Sequence, residues 1–311
     1  MFIHFFKEGA NTKMHNVLLI VNPVSGTGIF KQKIWKILEI YSAAGITTNV
    51  MFTGKRGDAA KFAKNCPAKI ETVICAGGDG TLNEVISGLM ENPKPHKLGY
   101  IPVGTTNDLA TSLGISKDPI KAAKDILEGN TIKIDIGFFS GKYFNYVASF
   151  GAFTEASYNT PQSAKNVLGH FAYVLEGIMS LANIRPYNVK FSFDDTVLTG
   201  DFIFAAISNT TSMGGILKLN DTLVALNDGK FELLVVKNPQ NLVQFQKILS
   251  DIMTQNFSGD LVQLFHTSKI TIECNEQIDW TLDGEHHLSN KIEEIENISQ
   301  AINLIVPPEQ K

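Results

Sequence analysis

The stretch Ala76-Gly77-Gly78-Asp79-Gly80-Thr81-Leu82-Asn83-Glu84 constrains the fold more than any other part of the chain. It follows an apolar segment, residues 71–76, that is typical of a buried strand, and it enters residues 82–89, whose apolar positions repeat at helical spacing. Glycines at a strand-to-helix junction let the backbone approach a ligand closely and adopt positive φ. The N–H groups at the start of the helix favour an anion such as phosphate. The sequence therefore predicts a strand, a phosphate-binding turn and a helix.

Asp79 is the unexpected member of this turn, because a carboxylate beside a phosphate site repels the ligand unless a cation lies between them. A Mg²⁺ ion held partly by Asp79 removes that conflict, and the hydroxyl of Thr81 adds a donor. The alternative is an ordinary glycine-rich turn in which Asp79 caps the helix.

Two further polar glycine loops, residues 22–28 and 104–108, also follow apolar segments that read as strands. Strands and helices alternate through this part of the chain, which predicts a parallel sheet covered by helices. The carboxyl ends of parallel strands share one edge of the sheet, so we expect the three loops to meet there. That convergence favours a phosphate site over an ordinary turn.

The length of 311 residues predicts two domains, since one core rarely grows to that size. The composition changes near residue 135, and we expect an α/β nucleotide-binding domain over residues 14–136. A β-rich substrate domain is expected over residues 137–290, because short strands alternate with turn signals there. The segment of about 291–308 is expected to return to the first domain, and residues 1–13 are interpreted as an extension.

Charge and cysteine content exclude several classes. A net charge of −4 argues against a dedicated nucleic-acid binder. The three cysteines have no C-x-x-C spacing and are odd in number, which favours a reducing cytoplasm over a disulfide framework. No run of the sequence has the length and apolarity of a transmembrane helix.

The chain resembles the bacterial diacylglycerol kinase-like lipid kinases, which are relatives of sphingosine and ceramide kinases, over roughly residues 15–306. The matching motifs occur in the family's order: Asn22-Pro23 with Ser25-Gly26, Gly77 to Val85, Gly104-Thr105-Thr106-Asn107-Asp108, Asp135-Ile136-Gly137, Asn227-Asp228-Gly229 and Asp283-Gly284-Glu285. NAD kinases share the Gly-Gly-Asp-Gly-Thr core, but Asn83-Glu84 and the residue 104–108 loop look like the lipid branch. The resemblance implies an N-terminal α/β domain with a parallel sheet (like NAD kinase and phosphofructokinase), a mainly β C-terminal sandwich and an active-site cleft between them.

The resemblance also implies ATP and Mg²⁺ as cofactors. The residues that would line the nucleotide are Asn22, Thr53, Gly77, Gly78, Asp79, Gly80, Thr81, Leu82, Asn83 and Thr105. Asp79, Asp108 and Asp135 would form an acidic cluster that organises the catalytic Mg²⁺, directly or through water. A metal with its acids is what phosphoryl transfer requires from a protein.

Two Asp-Gly turns in the second part complete the implied site. Asp283 or Glu285 would take the proton from the attacking alcohol, and the sequence leaves open which of them does. A second, structural Mg²⁺ would be held by the Asp228 side chain and the carbonyls of Ala225 and Lys230. In both places the alternative is a simple Asp-Gly hairpin turn. The neighbouring His286-His287 pair lacks partner ligands at zinc spacing and is interpreted as two solvated turn residues.

The implied substrate lies at a membrane surface, so the expected location is cytoplasmic with transient contact at the inner membrane face. Candidates for an acyl-facing surface are the helix expected at residues 162–182 and the phenylalanines Phe138, Phe139, Phe144, Phe150 and Phe153, although aromatic side chains in strands usually belong to the core. No nucleic-acid partner is expected, and the oligomeric state is left open, with a homodimer as one option.

Two other functions remain in view from the sequence. One is an NAD kinase-like phosphorylation of a soluble hydroxyl group. The other is a catalytically silent regulator that binds nucleotide or lipid. The presence of Asp79, Asp108, Asp135 and Asp283 argues against the silent regulator.

Overall fold

The computed structural model describes residues 14–26, 29–151, 185–210, 212–213, 217–218 and 225–308. The chain separates into two compact units. Unit 1 comprises residues 1–135 and 300–311, and unit 2 comprises residues 136–299. The division falls one residue before the predicted boundary, and the C-terminal return begins at Gln300 rather than at about residue 291.

Unit 1 is built from alternating strands and helices. They are β1 (Asn16–Val21), α1 (Ile29–Ala43), β2 (Thr47–Phe52), α2 (Asp58–Lys64), β3 (Thr72–Gly77), α3 (Asp79–Met90), β4 (Lys97–Pro102), α4 (Asp108–Ser112) and α5 (Pro119–Glu128), followed by the start of β5 (Asn130–Phe139) and, from the other end of the chain, the last part of β17 (Ile292–Val306).

The sheet of unit 1 has the strand order β17-β4-β3-β1-β2, and all of these neighbours are parallel. Every residue of Thr72–Gly77 in the central strand β3 is buried, because helices cover the sheet on both sides. The predicted parallel α/β domain is confirmed. β2 is an edge strand, and most of its side chains are exposed or half-buried.

Helix α5 was not expected from the sequence. Its N-cap Asp118 accepts a hydrogen bond from the backbone N–H of Ile120 at 3.3 Å, and Pro119 occupies the first helical position. An acidic cap followed by proline is a known helix start signal, so this element could have been found from the sequence.

Unit 2 is mainly β. Its elements are the end of β5, β6 (Lys142–Phe144), β7 (Val147–Gly151), β8 (Tyr187–Phe193), β9 (Thr196–Ser208), β10 (Ser212–Met213), β11 (Leu217–Lys218), β12 (Phe231–Lys237), α6 (Leu242–Thr254), β13 (Val262–Thr267), β14 (Lys269–Cys274), β15 (Asp279–Leu282), β16 (Glu285–Leu288) and the first part of β17. The described strand pairs of this unit are antiparallel, for example β7 with β9 and β9 with β12. The predicted β-rich second domain is confirmed, and the helix expected at 162–182 lies outside the described residues.

The core of unit 2 is aromatic on one face of its strands. Phe139 and Phe150 are fully buried, and each meets the ring of Trp280 edge-on with centroids 4.9 Å apart. Phe144 is fully buried as well, and it stacks on Phe231 at 5.6 Å. On the other face, helix α6 packs against β9 and β12. The second unit thus has a packed interior on both faces of these strands.

The expectation of an acyl-facing phenylalanine surface is therefore wrong for three of its members. Phe139, Phe144 and Phe150 belong to the core because neighbouring strands cover the face that carries them. Phe138 is half-buried against Tyr143, with ring centroids 5.2 Å apart. Phe153 lies outside the described residues.

We expect Gly137→Ala to destabilise unit 2, because a Cβ atom at this position would lie 2.2 Å from the ring of Phe144. Overpacking of a dense core costs about 1–3 kcal/mol. Urea unfolding followed by tryptophan fluorescence measures the loss. The matched control is Gly200→Ala in β9, where the nearest atom to an added Cβ is 3.8 Å away. Equal stability of the two variants would contradict this account of the Asp-Ile-Gly motif.

Candidate active site

Two glycine loops at the carboxyl edge of the unit 1 sheet meet through their backbones. Gly78 follows β3 and Gly104 follows β4. A Cβ atom on Gly104 would lie 2.5 Å from the Cα of Gly78, which is closer than any side chain tolerates. Glycine at both positions is what allows the loops to touch.

The loop after β1 joins the same edge. The Asn22 side-chain amide donates to Oγ1 of Thr81 at 2.9 Å. Gly26 has φ +63°, and a Cβ on it would lie 2.0 Å from the carbonyl oxygen of Val103. The expected convergence of the three polar loops is confirmed.

The carboxylate of Asp79 ties the second loop to the third. One oxygen accepts the backbone N–H of Asn107 at 2.8 Å, and the other accepts that of Asp108 at 3.0 Å. Burial raises the pKa of the Asp79 carboxyl, while these hydrogen bonds and the charge of Lys117 act in the opposite direction. The side chain is thus held at the start of α4.

Asn107 braces the third loop from inside, and it is absent from the residues that the sequence singled out as a site. Its backbone is left-handed with φ 55°, and its side chain is 2% exposed. Its side-chain oxygen accepts from the N–H of Gly104 (3.0 Å) and the hydroxyl of Tyr100 (3.1 Å), and its amide donates to the Gly104 carbonyl (2.8 Å). Asparagine tolerates the left-handed conformation better than most residues. An asparagine in this motif could therefore have indicated a left-handed turn at this position.

The first turn of α3 has the features of an anion site. Its N-cap is Gly78, which provides no side-chain cap, so the N–H groups of the turn stay directed to the sheet edge. A Cβ added to Gly80 would meet nothing within 4 Å, which leaves open space beside the backbone. Leu82 does not fit its predicted role as a nucleotide-lining residue, because its side chain is 1% exposed and its N–H bonds to the Gly78 carbonyl.

The loop after β2 is held by an acid of the same motif. The N–H of Thr53 bonds to the carbonyl of Val21 at 2.9 Å. The Glu84 carboxylate reaches from α3 to accept the N–H groups of Gly57 (2.8 Å) and Ala59 (3.2 Å) at the start of α2. Glu84, which the sequence reading used to favour a lipid acceptor, therefore shapes the predicted nucleotide loop.

A cavity of about 280 Å³ opens beside the first and third loops. Thr105 and Asn107 line it, and Lys117 supplies the charged side chain among its described lining residues. The Lys117 ammonium also lies 3.4 Å from the carbonyl oxygen of Thr106. Lys117 was missed by sequence reasoning, because it belongs to no motif and reaches the site from the turn before α5.

The three acids expected around Mg²⁺ have different environments. Asp108 begins α4 beside Asp79 and is half-buried. Asp135 is fully buried and accepts the N–H of Gln300 at 2.6 Å. Among the described residues, no group of three Asp, Glu, His or Cys side chains is arranged to hold a metal ion. Asp135 thus has a different environment from Asp79 and Asp108, and the arrangement of the three acids around Mg²⁺, directly or through water, stays a prediction.

Comparison with known proteins places this geometry in a family. The family model "Diacylglycerol kinase catalytic domain" matches residues 16–139, and "YegS C-terminal NAD kinase beta sandwich-like domain" matches residues 147–306. A diacylglycerol kinase of Bacillus subtilis (strain 168) is 34% identical over 300 residues, covering 96% of this chain and 98% of its own. The chain belongs to the diacylglycerol kinase family.

Further relatives of this kinase are also diacylglycerol kinases. A diacylglycerol kinase of Staphylococcus carnosus (strain TM300) is 36% identical over 274 residues, covering 86% of this chain and 88% of its own. A crystal structure of a diacylglycerol kinase from Bacillus anthracis str. Sterne has a TM-score of 0.75 and 25% identity, covering 96% of this chain and 99% of its own. The predicted family is confirmed: the protein is a lipid kinase, a phosphotransferase that uses a nucleotide and an alcohol acceptor.

In unit 2 of the kinase, Asp283 lies in the turn between β15 and β16 and is 6% exposed. One of its oxygens accepts the N–H of Asn145 at 2.6 Å, and the other accepts those of Tyr146 and Val147, each at 3.0 Å. Glu285 begins β16 and is exposed. The structure thus separates the two candidate bases: Asp283 is engaged with the backbone, and Glu285 lies at the surface of the turn.

The hairpin alternative describes the backbone of this turn well. Asp283 and Gly284 both have positive φ, and they connect the antiparallel pair β15–β16. Of the histidines that follow, His286 is exposed with its Nε2 atom 2.8 Å from Asp279. His287 is not a solvated residue, since it packs on Phe139 at 5.1 Å and burial lowers its pKa.

The second Asp-Gly turn also closes on itself. Asp228 accepts the N–H of Lys230 at 3.0 Å, and Gly229 has φ +75°. The carbonyl of Lys230 accepts from the side-chain amide of Asn297 at 3.1 Å. A carboxylate and carbonyl oxygens are ligand types that Mg²⁺ accepts, and a structural ion held by Ala225, Asp228 and Lys230 stays a prediction.

None of the helices in the part of the chain that the structure describes is long and apolar enough to cross a membrane.

We expect Gly104→Ala to lower nucleotide affinity and turnover, because an added Cβ would push the third loop away from Gly78. Overpacking of about 1–3 kcal/mol at this contact would misplace the loop. Nucleotide-induced thermal shift and phosphoryl-transfer rates measure the effect. The control is Gly200→Ala in β9 of unit 2, where the nearest atom to an added Cβ is 3.8 Å away. Unchanged nucleotide affinity in Gly104→Ala would contradict the proposal that nucleotide binding requires close contact between Gly78 and Gly104.

Proposed function

We propose that the kinase transfers the γ-phosphate of ATP, with Mg²⁺, to the hydroxyl group of diacylglycerol or a related lipid alcohol. The observation that carries the proposal is the junction of the glycine loops through Asp79 at the carboxyl edge of a parallel sheet. The similarity to diacylglycerol kinases of Bacillus subtilis and Staphylococcus carnosus supports the choice of lipid.

ATP binds at this edge in the proposal. Backbone N–H groups of residues 77–81 and the hydroxyl groups of Thr53 and Thr105 are donors suited to phosphate oxygens. The N–H groups at the uncapped start of α3 support this assignment. Lys117 provides positive charge beside the third loop. Asn22 acts by holding Thr81 in place.

The donor set fits Mg²⁺ with two acids rather than three. Mg²⁺ in phosphoryl-transfer sites commonly takes one or two carboxylates and completes its shell with phosphate oxygens and water. Asp79 and Asp108 are the two acids in this scheme, since the backbone N–H of Asp108 bonds to the Asp79 carboxylate at 3.0 Å. When bound, the ion neutralises charge on the transferred group. Asp135 is buried in β5 and acts in this scheme through water rather than as a direct ligand.

The acceptor alcohol loses its proton as the new bond to phosphorus forms, and a carboxylate from the Asp283–Glu285 turn takes it in the proposal. Which of the two acids does so stays open. The lipid lies in a bilayer, so we further propose a peripheral protein that works from the cytoplasm at the inner membrane face. A homodimer stays a prediction.

The reaction is tested with γ-labelled ATP, Mg²⁺ and the full chain. We expect label in the lipid when diacylglycerol is offered in mixed micelles, and none when NAD is offered. Removal of Mg²⁺ with a chelator is expected to abolish transfer, since the two acids alone repel the triphosphate. Label in NAD and none in the lipid would overturn the proposal, and so would transfer that survives complete metal removal.

The two candidate bases are separated by Asp283→Asn and Glu285→Gln. We expect Asp283→Asn to lower stability by about 1–3 kcal/mol, because one acceptor oxygen would become an amide facing backbone N–H groups. Glu285→Gln is exposed and should leave stability unchanged. Turnover is compared at saturating ATP, with nucleotide affinity and urea unfolding measured alongside. If both variants keep normal turnover, the base lies elsewhere.

A further inference from the structure

We propose that an apolar groove between α1 and β2 in unit 1 is the surface through which the kinase contacts an anionic lipid bilayer. This proposal rests on the proposed function, because it says where a peripheral lipid kinase meets the membrane. The surface differs from the phenylalanine-rich strands of unit 2, which are buried in the core.

The groove has a volume of about 530 Å³ and an apolar lining. Ile34 and Leu38 of α1 and Val50 of β2 are among its lining residues. Its rim carries two aromatic side chains that water largely surrounds: Trp35 is 73% exposed and Phe52 is 56% exposed.

Such a surface is unusual on a folded protein. Exposed apolar patches of this kind mark contact sites with proteins, ligands or membranes. Tryptophan suits a bilayer interface in particular, because its ring is apolar while its N–H group favours the headgroup level. Trp35 occupies the rim of the groove, where it would reach the headgroups first.

The charges around the groove are complementary to an anionic surface. Lys31 lines the groove itself, and the exposed Lys55 follows Phe52 in the loop after β2. Of the acids nearby, Glu39 pairs with Lys36 at 3.0 Å, and Asp58 keeps its charge and interacts with Lys55 and Lys61, so the lysines around the groove outnumber the acids. Anionic headgroups attract basic side chains within a Debye length.

These charges also favour a bilayer over a second copy of the chain. A two-fold contact through this face would bring each groove and its Lys31 against the same groove of the partner. Like charges that face each other oppose association. An anionic bilayer meets both the apolar rim and the basic residues favourably.

The position of the groove connects it to the proposed reaction. Asn22 and Ser25, from the loop at the predicted nucleotide site, form one end of it. Val21 and Phe52 lie at the carboxyl ends of β1 and β2, which is the edge of the sheet that carries the glycine loops. Contact through the groove therefore brings the phosphate-binding loops next to the surface in which the lipid alcohol lies.

The two tryptophans make a direct test, because Trp35 is exposed and Trp280 is 1% exposed. With phosphatidylglycerol vesicles we expect a blue shift of the emission and quenching by brominated acyl chains. Both changes should vanish in Trp35→Phe, which keeps only Trp280. In vesicle sedimentation, Trp35→Ser should weaken binding roughly tenfold. The control Val243→Ser, a 74% exposed apolar residue on α6, should bind like the wild type.

Charge and oligomeric state complete the design. Lys31→Glu should weaken binding to phosphatidylglycerol vesicles and leave binding to phosphatidylcholine vesicles unchanged. The proposal is overturned if Trp35→Ser sediments with vesicles like the wild type, or if the emission of Trp35 does not respond to them. It is also overturned if light scattering shows that Trp35→Ser splits a dimer while vesicle binding persists.

Activity on a water-soluble, short-chain diacylglycerol separates this proposal from the proposed function. Trp35→Ser should keep wild-type activity on that substrate and lose it on vesicles. If the wild-type protein phosphorylates no diacylglycerol at all, the proposed function fails, while the vesicle-binding experiments still decide the role of the groove.

Discussion

The hydrogen bonds from Asn107 and Asp108 to the Asp79 carboxylate are the contact on which the site of unit 1 depends. They join the loop after β3 to the loop after β4 at the point where Gly78 and Gly104 touch. Burial of the acid is unfavourable by itself, and the two N–H donors offset that cost. The loops hold their shape because the glycines allow close contact and the backbone N–H groups bond to the buried carboxylate.

The same arrangement recurs at other acids of the family motifs. Asp283 accepts three backbone N–H groups, Glu84 accepts two and Asp135 accepts one. Each of these acids has a structural role, since it orients a loop or a strand end. A catalytic or metal-binding role would come in addition to that structural role. An ionised carboxylate offers about four acceptor sites, so Asp79 keeps capacity for water or a metal ion while it holds the loop.

The fold of unit 1 was largely predictable, because β1, β3 and β4 are continuous apolar runs that end in glycine loops. Their parallel order follows from the helices between them. The long strand β17 was predicted only at its C-terminal end, since its first half is rich in charged residues and lacks a continuous apolar run, although Glu293 and Ile295 are buried there. Pairing with β14 stabilises this part of the strand, although its local β propensity is low.

The residues of the candidate site likewise fall into those that the sequence predicted and those that only the structure revealed. Gly78, Asp79 and Gly104 were found from the sequence because motif spacing and strand ends place them at one edge. Asn107 lay in a motif, but its brace depends on Tyr100, which is seven positions away in the sequence and close in space. Lys117 came from outside any motif, because a turn carries it to the cavity.

The sequence by itself determined the family, the alternation of strands and helices in unit 1 and the edge at which the glycine loops meet. These follow from local patterns: apolar periodicity, glycine at chain reversals and the geometry of parallel sheets. Tertiary structure decided which acids face solvent and which are committed to backbone donors, as with Glu285 and Asp135. It also decided that Phe139 is core while Trp35 is exposed. Burial depends on what packs against a side chain, and that partner comes from distant parts of the chain.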